Sequence, residues 1–139
     1  EKPHYRVLVS ESASAVSGLC LFTLVADECN LLYVVVASQY RQQGIGRQLL
    51  NALITQCQQH SISRIFLEVR ESNQAAIALY DAAGFINNGM RKNYYPAIKT
   101  ALVDQLGSQL DSQQDRENSQ RETALLFDLS LIEANTEAN

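Results

Sequence analysis

A junction in the first third of the chain sets the strongest limit on what it can fold into. Leu31-Leu32-Tyr33-Val34-Val35-Val36 is a continuous apolar run rich in β-branched residues. That pattern belongs to a strand buried on both faces, and so to a central one. Shortly after it, Arg41-Gln42-Gln43-Gly44-Ile45-Gly46 leads into a stretch where Leu49, Leu50, Leu53, Ile54 and Cys57 recur at helical spacing, with Gln and Asn on the other side. A buried strand feeding a helix through a glycine loop commits the chain to an α/β arrangement. Glycines let the backbone come close to a ligand. The N–H groups at a helix start are unpaired and carry partial positive charge, so such a loop is able to hold phosphate. The spacing is neither the dinucleotide fingerprint nor the P-loop, which needs Gly-Lys-Ser/Thr. On spacing alone, a simple turn is the commoner outcome.

The remaining elements fall on either side of this junction. Tyr5 to Val9 and Leu19 to Val25 read as strands, separated by a Ser/Ala-rich, turn-like stretch from Ser10 to Ser17. Asp27-Glu28 supply a polar turn, and Ile65-Phe66-Leu67-Glu68-Val69 is a further strand. Ser72 or Asn73 caps a second helix running through Tyr80, with Gly84 placed to end it. Phe85-Ile86 starts a strand, interrupted or followed by Asn87-Asn88-Gly89, and Thr123 to Leu131 forms the last one. Between them, Asp104 to Glu122 is rich in Gln, Ser and charge, and reads as a mobile loop or frayed helix. The order β-β-β-α-β-α-β-β predicts an α/β fold with a mixed sheet.

Composition narrows the function classes. The chain has 139 residues, 46% hydrophobic and 19% charged, which suits one globular domain over residues 1–139. A formal net charge of -4 argues against a nonspecific grip on nucleic acid or on an anionic membrane, while tolerating a basic peptide or amine. No apolar run approaches the ~18 residues of a membrane span, and no secretory leader pattern is visible. Three cysteines, Cys20, Cys29 and Cys57, lack CxxC spacing, which argues against a disulfide framework and a zinc site and favours a reducing cytoplasm. His4 and His60 have no partner suggesting a metal, and His60 suits a helix C-terminus. The chain opens at Glu1-Lys2-Pro3 rather than at Met, as a fragment or processed product would.

The loop gains a more definite meaning from its surroundings. With its strand and helix, Arg41-x-x-Gly44-x-Gly46 resembles the pyrophosphate loop of the GNAT superfamily of acetyltransferases, Gln/Arg-x-x-Gly-x-Gly/Ala. A second block is more specific. Leu67-Glu68-Val69-Arg70-Glu71-Ser72-Asn73-Gln74-Ala75-Ala76-Ile77-Ala78-Leu79-Tyr80, then Gly84-Phe85, resembles the ribosomal-protein alanine N-acetyltransferases of that superfamily, the RimI family. Arg91-Lys92-Asn93-Tyr94-Tyr95-Pro96 resembles them too. The resemblance runs from about Tyr5 to Pro96 and resumes from Glu122 to Leu129. It implies a GNAT fold whose parallel strands, Leu31–Val36 and Arg64–Val69, splay apart at their C-terminal ends. Two departures bear on the acceptor side: the strand and helices that usually precede Tyr5 are missing, and residues from Ala97 to Arg121 form an insertion, expected to be flexible, before the last strand.

The resemblance also implies roles for single residues. Acetyl-CoA would be the cosubstrate, with no metal. Its pyrophosphate would lie on the loop of Arg41, Gln42, Gln43, Gly44, Ile45, Gly46 and Arg47, and its pantetheine along Val34, Val35 and Val36, whose N–H groups would polarise the thioester. Alternation puts Ile65, Leu67 and Val69 on one strand face and Arg64, Phe66, Glu68 and Arg70 on the other. By spacing, Glu68 is a rim carboxylate paired with an arginine; by resemblance it is the general base that an α-amine of pKa about 8 requires. Tyr80 by pattern is a core residue, and by resemblance the acid for the leaving thiolate. Asn73 by pattern is a helix cap, and by resemblance a pantetheine contact. Tyr94 and Tyr95 by pattern pack a loop, and by resemblance line the peptide groove. The acceptor implied is the N-terminal alanine of a small-subunit ribosomal protein in the cytoplasm. A superfamily enzyme acting on lysine, polyamine or another small amine, and a CoA-binding module without catalysis, stand as alternatives.

Overall fold

The computed structural model describes residues 2–95 and 122–132, with the backbone alone for residues 93–95. Its elements are β1 (His4–Ser12), β2 (Ala15–Val25), β3 (Glu28–Val36), α1 (Ile45–Gln59), β4 (Arg64–Arg70), α2 (Gln74–Ala82), β5 (Ile86–Tyr95) and β6 (Glu122–Ser130). The strands form one mixed sheet in the order β1-β2-β3-β4-β6-β5. Only β3 and β4 pair in parallel among these neighbours, through the crossover that carries α1.

The element order follows the sequence pattern; the boundaries differ where pairing overrides local propensity. The stretch from Ser10 to Ser17 is strand almost throughout, and its turn shrinks to Ala13 and Ser14, with φ of 51° and 67°. Two consecutive residues at positive φ make the tight turn whose twist matches the strands it joins. Small polar residues tolerate the ladder once a partner is present, and Ser17 Oγ donates to Ser10 Oγ at 3.0 Å across it. Asn87-Asn88-Gly89 likewise does not break β5. The register against β6 shifts there, so Asn88 is the extra residue of a bulge, and its side chain donates to Asp128 Oδ2 at 2.6 Å. The expected loop or frayed helix from Asp104 lies outside the described residues up to Arg121, while Glu122 itself opens β6.

Both helices pack on one face of the sheet. The apolar stripe of α1, namely Ile45, Leu49, Leu50, Leu53 and Cys57, is buried against Cys20, Phe22, Cys29, Leu31 and Ile65. Each such side chain contributes roughly 1.5–3 kcal/mol on burial. Gly18 lets the start of α1 approach this closely: a Cβ there would lie 2.8 Å from the Val35 carbonyl oxygen and 3.1 Å from Leu49. The opposite face carries no helix among the described residues, and Tyr5 (68% exposed), Val7 and Val9 of β1 stand open on it. No described helix is long and apolar enough to cross a membrane.

All three cysteines are free and buried in the core that α1 covers. Burial, reinforced by the neighbouring Cys57, pushes the Cys20 thiol up to about 12. A hydrogen bond with Cys57, and then burial, raises Cys29 well above the ordinary thiol range. Thiolate is the reactive form. The same hydrogen bond lowers Cys57, so it is the burial of all three sulfurs that should keep native protein at neutral pH from taking up iodoacetamide, while denatured protein should take up three equivalents by mass; rapid alkylation of the native chain would show the packing of α1 to be wrong.

Candidate active site at the strand opening

Pairing between β3 and β4 covers only Glu28 to Leu31 against Arg64 to Leu67. Beyond that point β3 stays with β2 through Val36, while β4 stays with β6 through Arg70. The two strands therefore diverge, and Val34, Val35 and Val36 turn a backbone edge without ladder partners toward the gap. The divergence starts beside a bulge. Leu21 faces Tyr33 and Phe22 faces Leu31, so Leu32 is the extra residue. A bulge bends its strand and re-aims the residues beyond it.

The glycine loop closes one end of this opening. A single 3-10 turn, Ser38–Tyr40, leads to Arg41, whose Nε donates back to the Val36 carbonyl at 3.1 Å. Gln43 donates to the Gln39 carbonyl at 3.4 Å. Gln42 is left-handed with φ of 63°, a conformation that costs a non-glycine residue about a kilocalorie per mole or more. Gly44 is the N-cap of α1, also left-handed at φ 80°. No side chain caps this helix, and no acidic residue occupies its first turn. The N–H groups of Ile45, Gly46 and Arg47 precede the first helical hydrogen bond, which runs from Gln48 to Gly44. The loop thus presents bare donors at the positive end of a helix of fifteen residues.

On the helix-free side the opening widens into a cavity of about 870 Å³ whose lining includes Asn30, Tyr33, Phe66, Glu68, Arg91 and Phe127. The alternation expected for β4 holds, since Ile65, Leu67 and Val69 are buried and Glu68 is exposed to the cavity. Arg91 Nη2 lies 3.5 Å from Glu68 Oε1, with the two side chains 52% and 32% exposed. The arginine partner expected from spacing is therefore present. Sequence spacing does not mark Arg91 itself as a site residue; its one signal is a position in the Arg91-Lys92-Asn93 block.

On the helix side, Asn73 is the cap of α2: its Oδ1 accepts from the Ala76 N–H at 3.2 Å. Tyr80 is 7% exposed, and its ring packs tilted against Phe85 at 5.7 Å and Phe127 at 6.4 Å between centroids. Tyr80 does not line the cavity; it packs against Phe127, which does, from the helix side of the sheet. Tyr94 and Tyr95 lie in the last residues of β5, where only the backbone is described. His60 caps α1 at its C-terminus, with Nδ1 donating to the Gln56 carbonyl at 2.8 Å. Among the described residues no three His, Cys, Asp or Glu side chains are grouped to hold a metal ion.

Known proteins share this fold. The sequence profile of the acetyltransferase (GNAT) family matches residues 1–85. The chain is 41% identical over 80 residues to the [ribosomal protein bS18]-alanine N-acetyltransferase of Escherichia coli K12, an alignment covering 58% of this chain and 54% of that protein. The chain thus spans about half the length of the curated relatives it matches. The crystal structure of the ribosomal-protein-S18-alanine N-acetyltransferase from Escherichia coli superposes with a TM-score of 0.72 at 31% identity, over 94% of this chain and 73% of that one. The paiA N-acetyltransferase from Thermoplasma acidophilum, solved in complex with coenzyme A, shares the fold with a TM-score of 0.65 at 14% identity, over 91% of this chain and 61% of that one.

The two loop glycines differ in what they tolerate. A Cβ on Gly44 would meet no atom within 4 Å, so its only obstacle is φ; one on Gly46 would rest at ordinary distance, 3.6 Å from Leu79 and 3.8 Å from Val36. Gly44→Ala should therefore lose about 1–2 kcal/mol of stability to left-handed strain. Gly46→Ala should be neutral or mildly stabilising through helix propensity. Urea unfolding of both variants tests this; equal losses would contradict the loop geometry.

Proposed function

The chain belongs to the GNAT acetyltransferase family, and on that premise we propose that it transfers the acetyl group of acetyl-CoA to the N-terminal amine, alanine first, of a small-subunit ribosomal protein in the cytoplasm. The observation that carries this reading is the opening itself. An uncapped helix N-terminus stands at one end, an unpaired strand edge runs along it, and a carboxylate faces the cavity on its far side. The similarity to the bS18-alanine N-acetyltransferase supports the choice of acceptor.

The residues present fit the cosubstrate. Its pyrophosphate would rest on the N–H groups from Gln42 to Arg47, where no carboxylate competes in the first turn of α1. Its pantetheine would complete the β3 edge left open at Val34 to Val36. The bound thioester supplies an activated acetyl group. In this reading Glu68 takes a proton from the incoming ammonium, directly or through water, because only the free amine is nucleophilic. Arg91 keeps that carboxylate oriented while the amine is bound. Tyr80 offers its phenolic proton to the departing sulfur from the helix side. Asn73 holds the first turn of α2, on which Tyr80 is carried. Tyr94 and Tyr95 would line the acceptor side.

Two substitutions test the assignment. With an N-terminal alanine peptide, Glu68→Gln should lower turnover about a hundredfold at neutral pH while acetyl-CoA binding is unchanged. The deficit should shrink as the pH rises past the amine's own pKa of about 8. Unchanged turnover at neutral pH would leave Glu68 as a partner of Arg91 and nothing more. Tyr80→Phe keeps the ring against Phe85 and Phe127 and should cost tenfold or more in turnover, toward the ~10²–10⁴ range of proton transfer. If the Phe variant melts lower yet keeps full activity, Tyr80 is a packing residue.

A further inference from the structure

We propose that Glu122, the first residue of β6, is a positioning residue that holds the turn between β4 and α2 in the register that acetyl-CoA requires. The inference rests on the transferase reading above. Glu122 uses both carboxylate oxygens on this turn. Ser72 N–H donates to Oε1 at 3.0 Å, and Arg70 Nη1 donates to Oε2 at 3.1 Å. The partners lie fifty or more residues away along the chain, so the contact is made by the fold and not by local sequence. The next residue extends the clamp, since the Thr123 carbonyl accepts from the Glu71 N–H at 3.1 Å. Within the turn itself, Asn73 N–H donates to the Arg70 carbonyl at 3.0 Å.

The helix after this turn explains why a carboxylate is needed here. α2 has no acidic residue in its first turn. Helix starts favour negative charge, and Glu122 supplies it from another strand, immediately before the Asn73 cap. The clamp therefore fixes the point from which α2 departs, and with it Asn73 and, seven residues on, Tyr80. Glu122 is also the register partner of Tyr95 on β5. It stands where the cosubstrate side of the site adjoins the strand that carries the acceptor-side tyrosines. As a stabiliser the pair is weak, because an arginine and a glutamate each about a quarter exposed gain little from their charges. Its consequence is geometric. Burial works to raise this carboxyl, but the hydrogen bonds from Ser72 and Arg70 outweigh it and hold Glu122 below the ordinary carboxylate range. It stays ionised at neutral pH and keeps both contacts.

The experiment is calorimetric titration of the full chain with acetyl-CoA, joined to steady-state kinetics and melting temperature. Glu122→Ala should weaken acetyl-CoA about tenfold, in both Kd and KM, with a smaller change in the KM of the acceptor peptide. Glu122→Gln keeps an oxygen for the Ser72 N–H and should recover most of the affinity. Glu122→Asp withdraws the carboxylate by one methylene at constant charge, and serves where the alanine variant does not fold: weakened acetyl-CoA binding at an unchanged melting temperature supports positioning. Wild-type affinity in the variants overturns the proposal, as does an equal loss in Ala and Gln that follows melting temperature alone. Wild-type protein that binds no acetyl-CoA overturns the transferase reading and this inference with it, whereas wild-type binding with an unaffected Glu122→Ala overturns this inference alone.

Discussion

The structure depends on one interrupted ladder. β3 and β4 share four register pairs and then separate, although an unpaired backbone edge in a sheet interior is costly. Each strand can leave the other because it is held from behind. β3 is backed by β2 along its length, and β4 by β6. The bulge at Leu32 sets the angle, and α1 packs closely on β2 at Gly18 and against Leu79 of α2 at Gly46. The polar edge that results is accounted for if a ligand with its own amides lies along it. The same separation gives the cavity its depth, because Leu31, Leu67 and Phe127, which belong to the core side, are reached from the open side.

The two helices begin in chemically different ways, and the difference assigns their roles. α1 starts at a left-handed glycine with no cap and no acid. α2 starts at an asparagine whose side chain satisfies the Ala76 N–H, with Glu122 on the preceding amide. An anion arriving at α2 would meet a carboxylate; one arriving at α1 would meet free donors. The α1 N-terminus is thus the better suited of the two to an anion, which supports the phosphate site proposed there.

Much of this is legible in the sequence, for identifiable reasons. The element order, the apolar stripe of α1 and the alternation around Glu68 are periodicities, and they survive in the structure; the apolar run before the loop is a central strand but is not buried on both faces, since Leu32 and Tyr33 stand exposed where β3 leaves β4 after Leu31. The turn between β1 and β2 reads too long in sequence because serine and alanine carry little strand signal until a neighbouring strand supplies the pairing. The Asn-Asn-Gly stretch is ambiguous because a bulge uses the same residues as a break. The contacts of Arg91 and Glu122 stay hidden for another reason: each meets a partner far along the chain, Glu68 for one and Ser72 for the other. No window of local sequence carries that information.

The two faces of the sheet then divide the chemistry. Glu68 faces the cavity on the side without a helix, while Tyr80 is packed beneath α2 against the rings of Phe85 and Phe127. A base that must collect a proton and release it to solvent belongs on the wet side. A continuous sheet would keep these groups apart. In the proposed mechanism the acyl group would lie in the strand separation between the two, so the interrupted ladder that shapes the groove would also serve both proton transfers.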